Sequence, residues 1–139
     1  MRPTLTHMAL HVKNLEACVT FYKKYCKLRV IHDREKHHKH IIWMAEKDHE
    51  HTFVFVLLEG GPYHNQIATD FSHLGFAVNS KTEVESIAQV AEQEGILAWP
   101  PVQEPYPVGY YCGVKDPNGN FVEFSYGQPL GPGSENMPL

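Results

Sequence analysis

Polar and apolar residues alternate from Thr6 to Val12 (T-H-M-A-L-H-V), which is the period of a half-buried strand. Asn14 then stands where a helix N-cap is needed. The spacing predicts a helix to about Tyr25, with Leu15, Cys18, Val19, Tyr22 and Cys26 as its buried stripe. Strands are predicted at Leu28 to His32, Ile41 to Ala45 and Thr52 to Leu58, and Glu59-Gly60-Gly61-Pro62 closes the segment. The order then repeats. Phe71 to Val78 reads as a strand, and Ser80 or Lys81-Thr82 opens a helix to about Glu94, with Ile87, Val90 and Ala91 inward and Gly95 as its C′ residue. Pro100, Pro101, Pro105 and Pro107 confine the next stretch to an edge or a loop. Val108 to Val114 and Asn120 to Tyr126 are strands joined by the turn Asp116-Pro117-Asn118-Gly119, and Gln128 to Leu139 reads as an irregular tail.

The repeat holds at residue level. His7-x-x-Leu10-x-Val12 matches His73-x-x-Phe76-x-Val78, and Phe53-Val54-Phe55-Val56 is aligned with Phe121-Val122-Glu123-Phe124. Each half is therefore strand–helix–strand–strand–strand, an α+β arrangement of two βαβββ modules at about 5–62 and 70–127. A module of some sixty residues rarely closes its own core, so the two are expected to pair within one domain.

Composition narrows the function. The chain has 139 residues, 42% hydrophobic, which is enough for a packed core, and its apolar runs are too short for a membrane helix. A net charge of −4 without a basic block leaves no footprint for nucleic acid or an anionic membrane. The start Met1-Arg2-Pro3-Thr4 has no signal-like apolar run. Three cysteines without a CxxC pair argue against a disulfide framework and for a reducing cytoplasm.

Ten histidines are the unusual count, and two of them are placed for chemistry. In the first strand His7, Ala9 and His11 share the face opposite Met8, Leu10 and Val12. In its repeat, His73, Gly75 and Ala77 oppose Leu74, Phe76 and Val78, and in the last strand Phe121, Glu123 and Ser125 oppose Val122, Phe124 and Tyr126. One face is bulky enough to pack under a helix. The other sets polar groups among small residues, which leaves room for a cavity. Two imidazoles and a carboxylate, His7, His73 and Glu123, are thus predicted to hold one divalent metal with open positions for a substrate bearing neighbouring oxygens.

The segments T-H-M-A-L-H-V-K-N-L-E, S-H-L-G-F-A-V and K-D-P-N-G-N-F-V-E-F resemble the vicinal oxygen chelate superfamily of glyoxalases, bleomycin-resistance proteins and extradiol dioxygenases, over about Leu5 to Tyr126. The resemblance implies paired βαβββ modules forming an incomplete eight-stranded barrel around a metal, with His7, His73 and Glu123 on the ligand positions. The metal implied is iron(II), manganese, zinc or nickel. Two departures matter. The repeat puts Phe55 where glyoxalase I-like members carry a fourth, glutamate ligand. Gly113 stands where extradiol enzymes carry a tyrosine, and Tyr111 is the nearest replacement as a hydrogen-bond donor or acid.

Other groups carry less. His11 shares the His7 face and is a candidate proton relay, or a rim residue. Phe53, Phe55, Trp43 and Tyr111 line a pocket or pack the core. The run His32 to His40 suits a solvated hairpin turn, His49 and His51 flank another turn, and Cys112 alternates to the helix side as a buried thiol. Three readings follow: a dioxygenase-like or lyase-like enzyme on a small molecule, a binding or sequestration protein without turnover, and a structural module acting through a dimer surface. The linker at about Glu59 to Thr69 is compatible with a homodimer with or without module exchange.

Overall fold

The strand–helix–strand–strand–strand order is realised twice in the computed structural model, which describes residues 2–63 and 65–139. Met1 of the amino-terminal stretch and His64 of the expected linker lie outside the described residues. The chain divides into a first unit, Met1–Asn65, and a second, Gln66–Leu139.

In the first unit the elements are β1 (His7–Val12), α1 (Leu15–Cys26), β2 (Arg29–Lys36), β3 (Lys39–Ala45) and β4 (Val54–Glu59). They form a sheet in the order β1-β4-β3-β2, with β1 and β4 parallel. The Asn14 side chain accepts from the Ala17 N–H at 3.1 Å, capping α1 as expected. The buried stripe is Cys18, Phe21, Tyr22 and Tyr25, rotated from the predicted one. Aromatic contact explains the rotation: Phe21 stacks on Tyr25 and meets Tyr22 edge-on, both with centroids 4.9 Å apart.

The histidine-rich run is not all loop. β2 and β3 extend into it, and only His37 and His38 turn the chain, with φ of 52° and 63°. Two left-handed residues match the twist of a two-residue hairpin. His40 Nδ1 donates to Asp33 Oδ1 across the ladder at 3.0 Å, and that carboxylate pulls its pKa upward.

The second unit contains β5 (His73–Ala77), α2 (Lys81–Gln93), β6 (Leu97–Glu104), β7 (Gly109–Lys115) and β8 (Phe121–Tyr126), ordered β5-β8-β7-β6. Ser80 caps α2 by accepting from the Glu83 N–H, and Gly95 at φ 74° ends it. Val84, Ala88 and Ala91 face inward, while Val90, expected inside, is exposed. The proline-bearing strand β6 takes the sheet edge, with its register broken between Trp99 and Val102. Cys112 is buried on the helix side, its Sγ 3.7 Å from the Val84 carbonyl, and burial pushes its thiol pKa up to about 11. Among the described residues no helix is long and apolar enough to cross a membrane.

The ladders correct one alignment. His7 pairs with Val54 and Ala9 with Val56, as His73 pairs with Phe121 and Gly75 with Glu123. The counterpart of Glu123 is therefore Val56, not Phe55. Phe55 pairs with Met8 on the opposite face, where its ring lies 6.5 Å from that of Tyr22 in α1. Repeated Phe-Val pairs shifted the sequence alignment by one residue, and one residue in a strand exchanges the faces.

Candidate functional site

The parallel pairing of β5 with β8 sets His73 and Glu123 on one face of the second unit. His73 Nε2 lies 3.7 Å from Glu123 Oε1. The other ring nitrogen, Nδ1, is 2.6 Å from the Phe71 carbonyl. A carbonyl can only accept, so Nδ1 donates to it, and Nε2 is the ring nitrogen that faces the carboxylate. Glu123 is 7% exposed. Burial raises its pKa, while His73 and the Gln128 side chain pull it back down. Gly75 stands opposite, and a Cβ there would only touch Glu123 Oε2, at 3.5 Å, so the glycine keeps the carboxylate approachable.

An aromatic wall frames the pair. Trp99 meets His73 edge-on at 5.5 Å and lies 4.9 Å from Phe121. Its ring covers Gly113, where any Cβ would overlap it. The glycine at the position expected for tyrosine is thus the space that the Trp99 indole fills. Tyr111 pairs with Ser125, one step along the same face from Gly113 and Glu123. Burial, with Glu104 and Glu123 nearby, raises its pKa, so the phenol keeps its proton at neutral pH.

Two supports brace these strands. The Asp116 carboxylate accepts from the N–H groups of Asn118 (2.8 Å) and Asn120 (2.9 Å), tying the turn before β8. The Gln66 amide joins the starts of both strands: its Oε1 accepts from the Phe121 N–H at 2.8 Å, and its Nε2 donates to the Ser72 carbonyl at 2.6 Å. Ser72 precedes His73, and Phe121 lies two residues before Glu123. Gln66→Leu leaves the Phe121 N–H and the Ser72 carbonyl without these partners and should cost about 1–3 kcal/mol of stability. Urea unfolding of the variant checks this, and an unchanged stability would count against the brace.

In the first unit His7 lines a cavity of about 370 Å³ on the open sheet face, with its Nδ1 3.0 Å from Thr6 Oγ1. The floor is Ala9, Ile41, Val54, Val56 and Leu58. Trp43 and Phe53 line it as expected, and His51, to which the sequence assigned nothing, joins them. His11 is on the His7 face of β1 but outside the lining. Its ring lies against Gly61, where a Cβ would overlap it.

Among the described residues, no group of three or more His, Cys, Asp or Glu side chains is placed to hold a metal ion. The His73–Glu123 pair nevertheless fits one chemically. With Nδ1 held by a carbonyl, Nε2 and the Glu123 carboxylate are two donor atoms that a proton or a cation between them would bridge. Cis ligands about 2.1 Å from a metal stand about 3 Å apart, close to the separation seen. Trp99 and Gln66 carry no sequence signal for these roles, because Trp99 meets His73 and Phe121, and Gln66 meets Phe121, far along the chain, while Gln128 lies past the end of β8, where no strand period places its side chain.

The family model described as Glyoxalase/Bleomycin resistance protein/Dioxygenase superfamily matches residues 4–124. The chain belongs to this superfamily. A curated relative, the uncharacterized protein PA2024 of Pseudomonas aeruginosa, is 55% identical over 139 residues, covering 100% of this chain and 99% of the relative. Among solved structures, the fold resembles a mutant of the fosfomycin resistance protein FosX from Listeria monocytogenes, complexed with Mn(II) and 1S,2S-dihydroxypropylphosphonic acid. The TM-score is 0.73 at 16% identity, over 92% of this chain and 95% of that one. A structure described as a possible glyoxalase from Bacillus cereus gives 0.65 at 24% identity, over 87% and 96%. At these identities the solved structures establish the superfamily fold alone.

Proposed function

We propose that this superfamily member is a metal-dependent dioxygenase that cleaves a small aromatic diol, with His7, His73 and Glu123 holding one divalent metal, iron(II) foremost. The observation that carries the reading is His73, pinned through Nδ1 by the Phe71 carbonyl and presenting Nε2 to the buried Glu123. His7 is its ladder counterpart, paired with Val54 as His73 is with Phe121. Two histidines and one carboxylate with open positions are the donor set of non-haem iron(II) oxygenases. A four-donor lyase centre would need a carboxylate at Val56, which is apolar.

Bound there, the metal would supply Lewis acidity toward two adjacent substrate oxygens and the redox partner that dioxygen chemistry needs. The chain's own groups do the rest. Glu123 balances charge, Trp99 holds the His73 ring edge-on with Phe121 behind it, and Tyr111 donates its phenolic proton toward the substrate oxygen. His11, on the His7 face of β1, takes a proton that a diol hydroxyl loses on binding and passes it to solvent. In the overall step both atoms of dioxygen enter the product and one ring C–C bond beside the diol breaks. The substrate supplies the four electrons, so no external reductant is consumed. A reducing cytoplasm, compatible with the free thiols of Cys18, Cys26 and Cys112, and a homodimer belong to the same reading.

Oxygen uptake by iron(II)-loaded protein with catechol tests it, the expected product carrying both atoms of labelled dioxygen. Diol bound without oxygen uptake would point instead to a sequestration protein. Oxygen-independent isomerisation of the methylglyoxal–glutathione hemithioacetal would point to a lyase.

A further inference from the structure

The first-unit cavity carries a charge that the metal reading leaves unused. Its about 370 Å³ falls in the range of small-molecule sites, and its floor is apolar. Two permanently charged side chains line it, Arg34 and Glu50. Glu50 is already compensated. Backbone N–H groups, first its own and then that of Asp48, together with the Arg29 guanidinium, hold its carboxyl below the usual range. Arg34, on β2 opposite Ile41, has no ion-pair carboxylate among the described residues. The neighbouring acids Asp33 and Glu35 alternate to the other face of the strand, where His40 engages them. Trp43, 38% exposed, adds an accessible aromatic surface beside this cation.

We infer that this cavity takes the body of an aryl carboxylate, with Arg34 as the anchor for its anionic group and Trp43 as the wall against its ring. The inference rests on the proposed reaction for its purpose, since it names the class of diol that would be turned over. It does not rest on that reaction for its physics. A guanidinium offers a carboxylate two parallel N–H donors, and an apolar floor beside it favours a flat ring over a hydrated anion. A neutral aryl ligand of the same shape gains the ring contact and forfeits the charge-assisted one.

The test uses metal-free protein and probes that have no free diol, 3,4-dimethoxybenzoate and its methyl ester, with binding read by calorimetry. The expected result is about tenfold tighter binding of the carboxylate than of the ester. Arg34→Gln should abolish that preference while leaving ester affinity unchanged, Arg34→Lys should retain part of it, and Trp43→Ala should weaken both probes. Equal affinity for the two probes in the unaltered protein, or a preference that survives Arg34→Gln, would overturn the anchor. Trp43→Ala without effect on either probe would overturn the wall. Because no metal takes part, failure here is distinguishable from failure of oxygen uptake with catechol.

Discussion

Under the proposed metal-dependent reading, Glu123→Gln should lower iron(II) or Mn(II) affinity by at least about 100-fold and bring diol cleavage to background. Removing a support behind a ligand costs about 10- to 100-fold, and loss of the ligand itself should exceed that. The substitution keeps shape and removes only the charge. Burial already raises the Glu123 pKa, so the carboxylate form sits there at a cost that an amide does not incur. The metal-free variant should therefore melt at the same temperature as the unaltered protein or slightly higher. What should disappear is the rise in melting temperature on adding metal, which mass action gives to any protein whose folded state alone binds the ion. Thermal melts with and without Mn(II) make the comparison. A variant that still gains stability from the metal would remove Glu123 from the donor set.

The largest effect on stability is expected one residue further along, at Phe124→Ala. Phe124 is 1% exposed, faces away from the site, and stacks on Phe76 with centroids 5.9 Å apart. Truncating a buried phenylalanine costs about 3–5 kcal/mol in lost transfer energy and cavity formation. For a chain of this size that lowers the melting temperature by roughly 10–20 °C. Urea unfolding gives the value directly, and a loss below about 1 kcal/mol would mean that Phe124 is not central to the core. Adjacent residues of β8 thus answer to different measurements, Glu123 to metal and Phe124 to denaturant, because successive strand side chains face opposite ways.

That alternation is also why much of the chain could be read from its sequence. Both helix caps, the order of elements and the edge position of the proline-bearing strand follow from local chemistry at Asn14, Ser80 and Pro100-Pro101. That His73 and Glu123 share one face followed from strand alternation. Readings failed where the decision is not local. A one-residue slip put Phe55 in place of Val56, since only the pairing of β1 with β4 fixes that register. The stripe of α1 turned because Phe21 and Tyr25 stack, and Val90 is exposed because Ala88 and Val84 take the inward positions. Nothing in the local pattern at Gln66 or Trp99 announces a partner dozens of residues away, and Gln128 lies past the strand end, where alternation no longer places a side chain.

Gln128 lies beyond β8, in a stretch without helix or strand, yet its side chain lowers the proton affinity of Glu123. The basicity of a group in the sheet is therefore adjustable from a segment that has no ladder to preserve. Exchanges at this position can retune the acid while the scaffold keeps its shape.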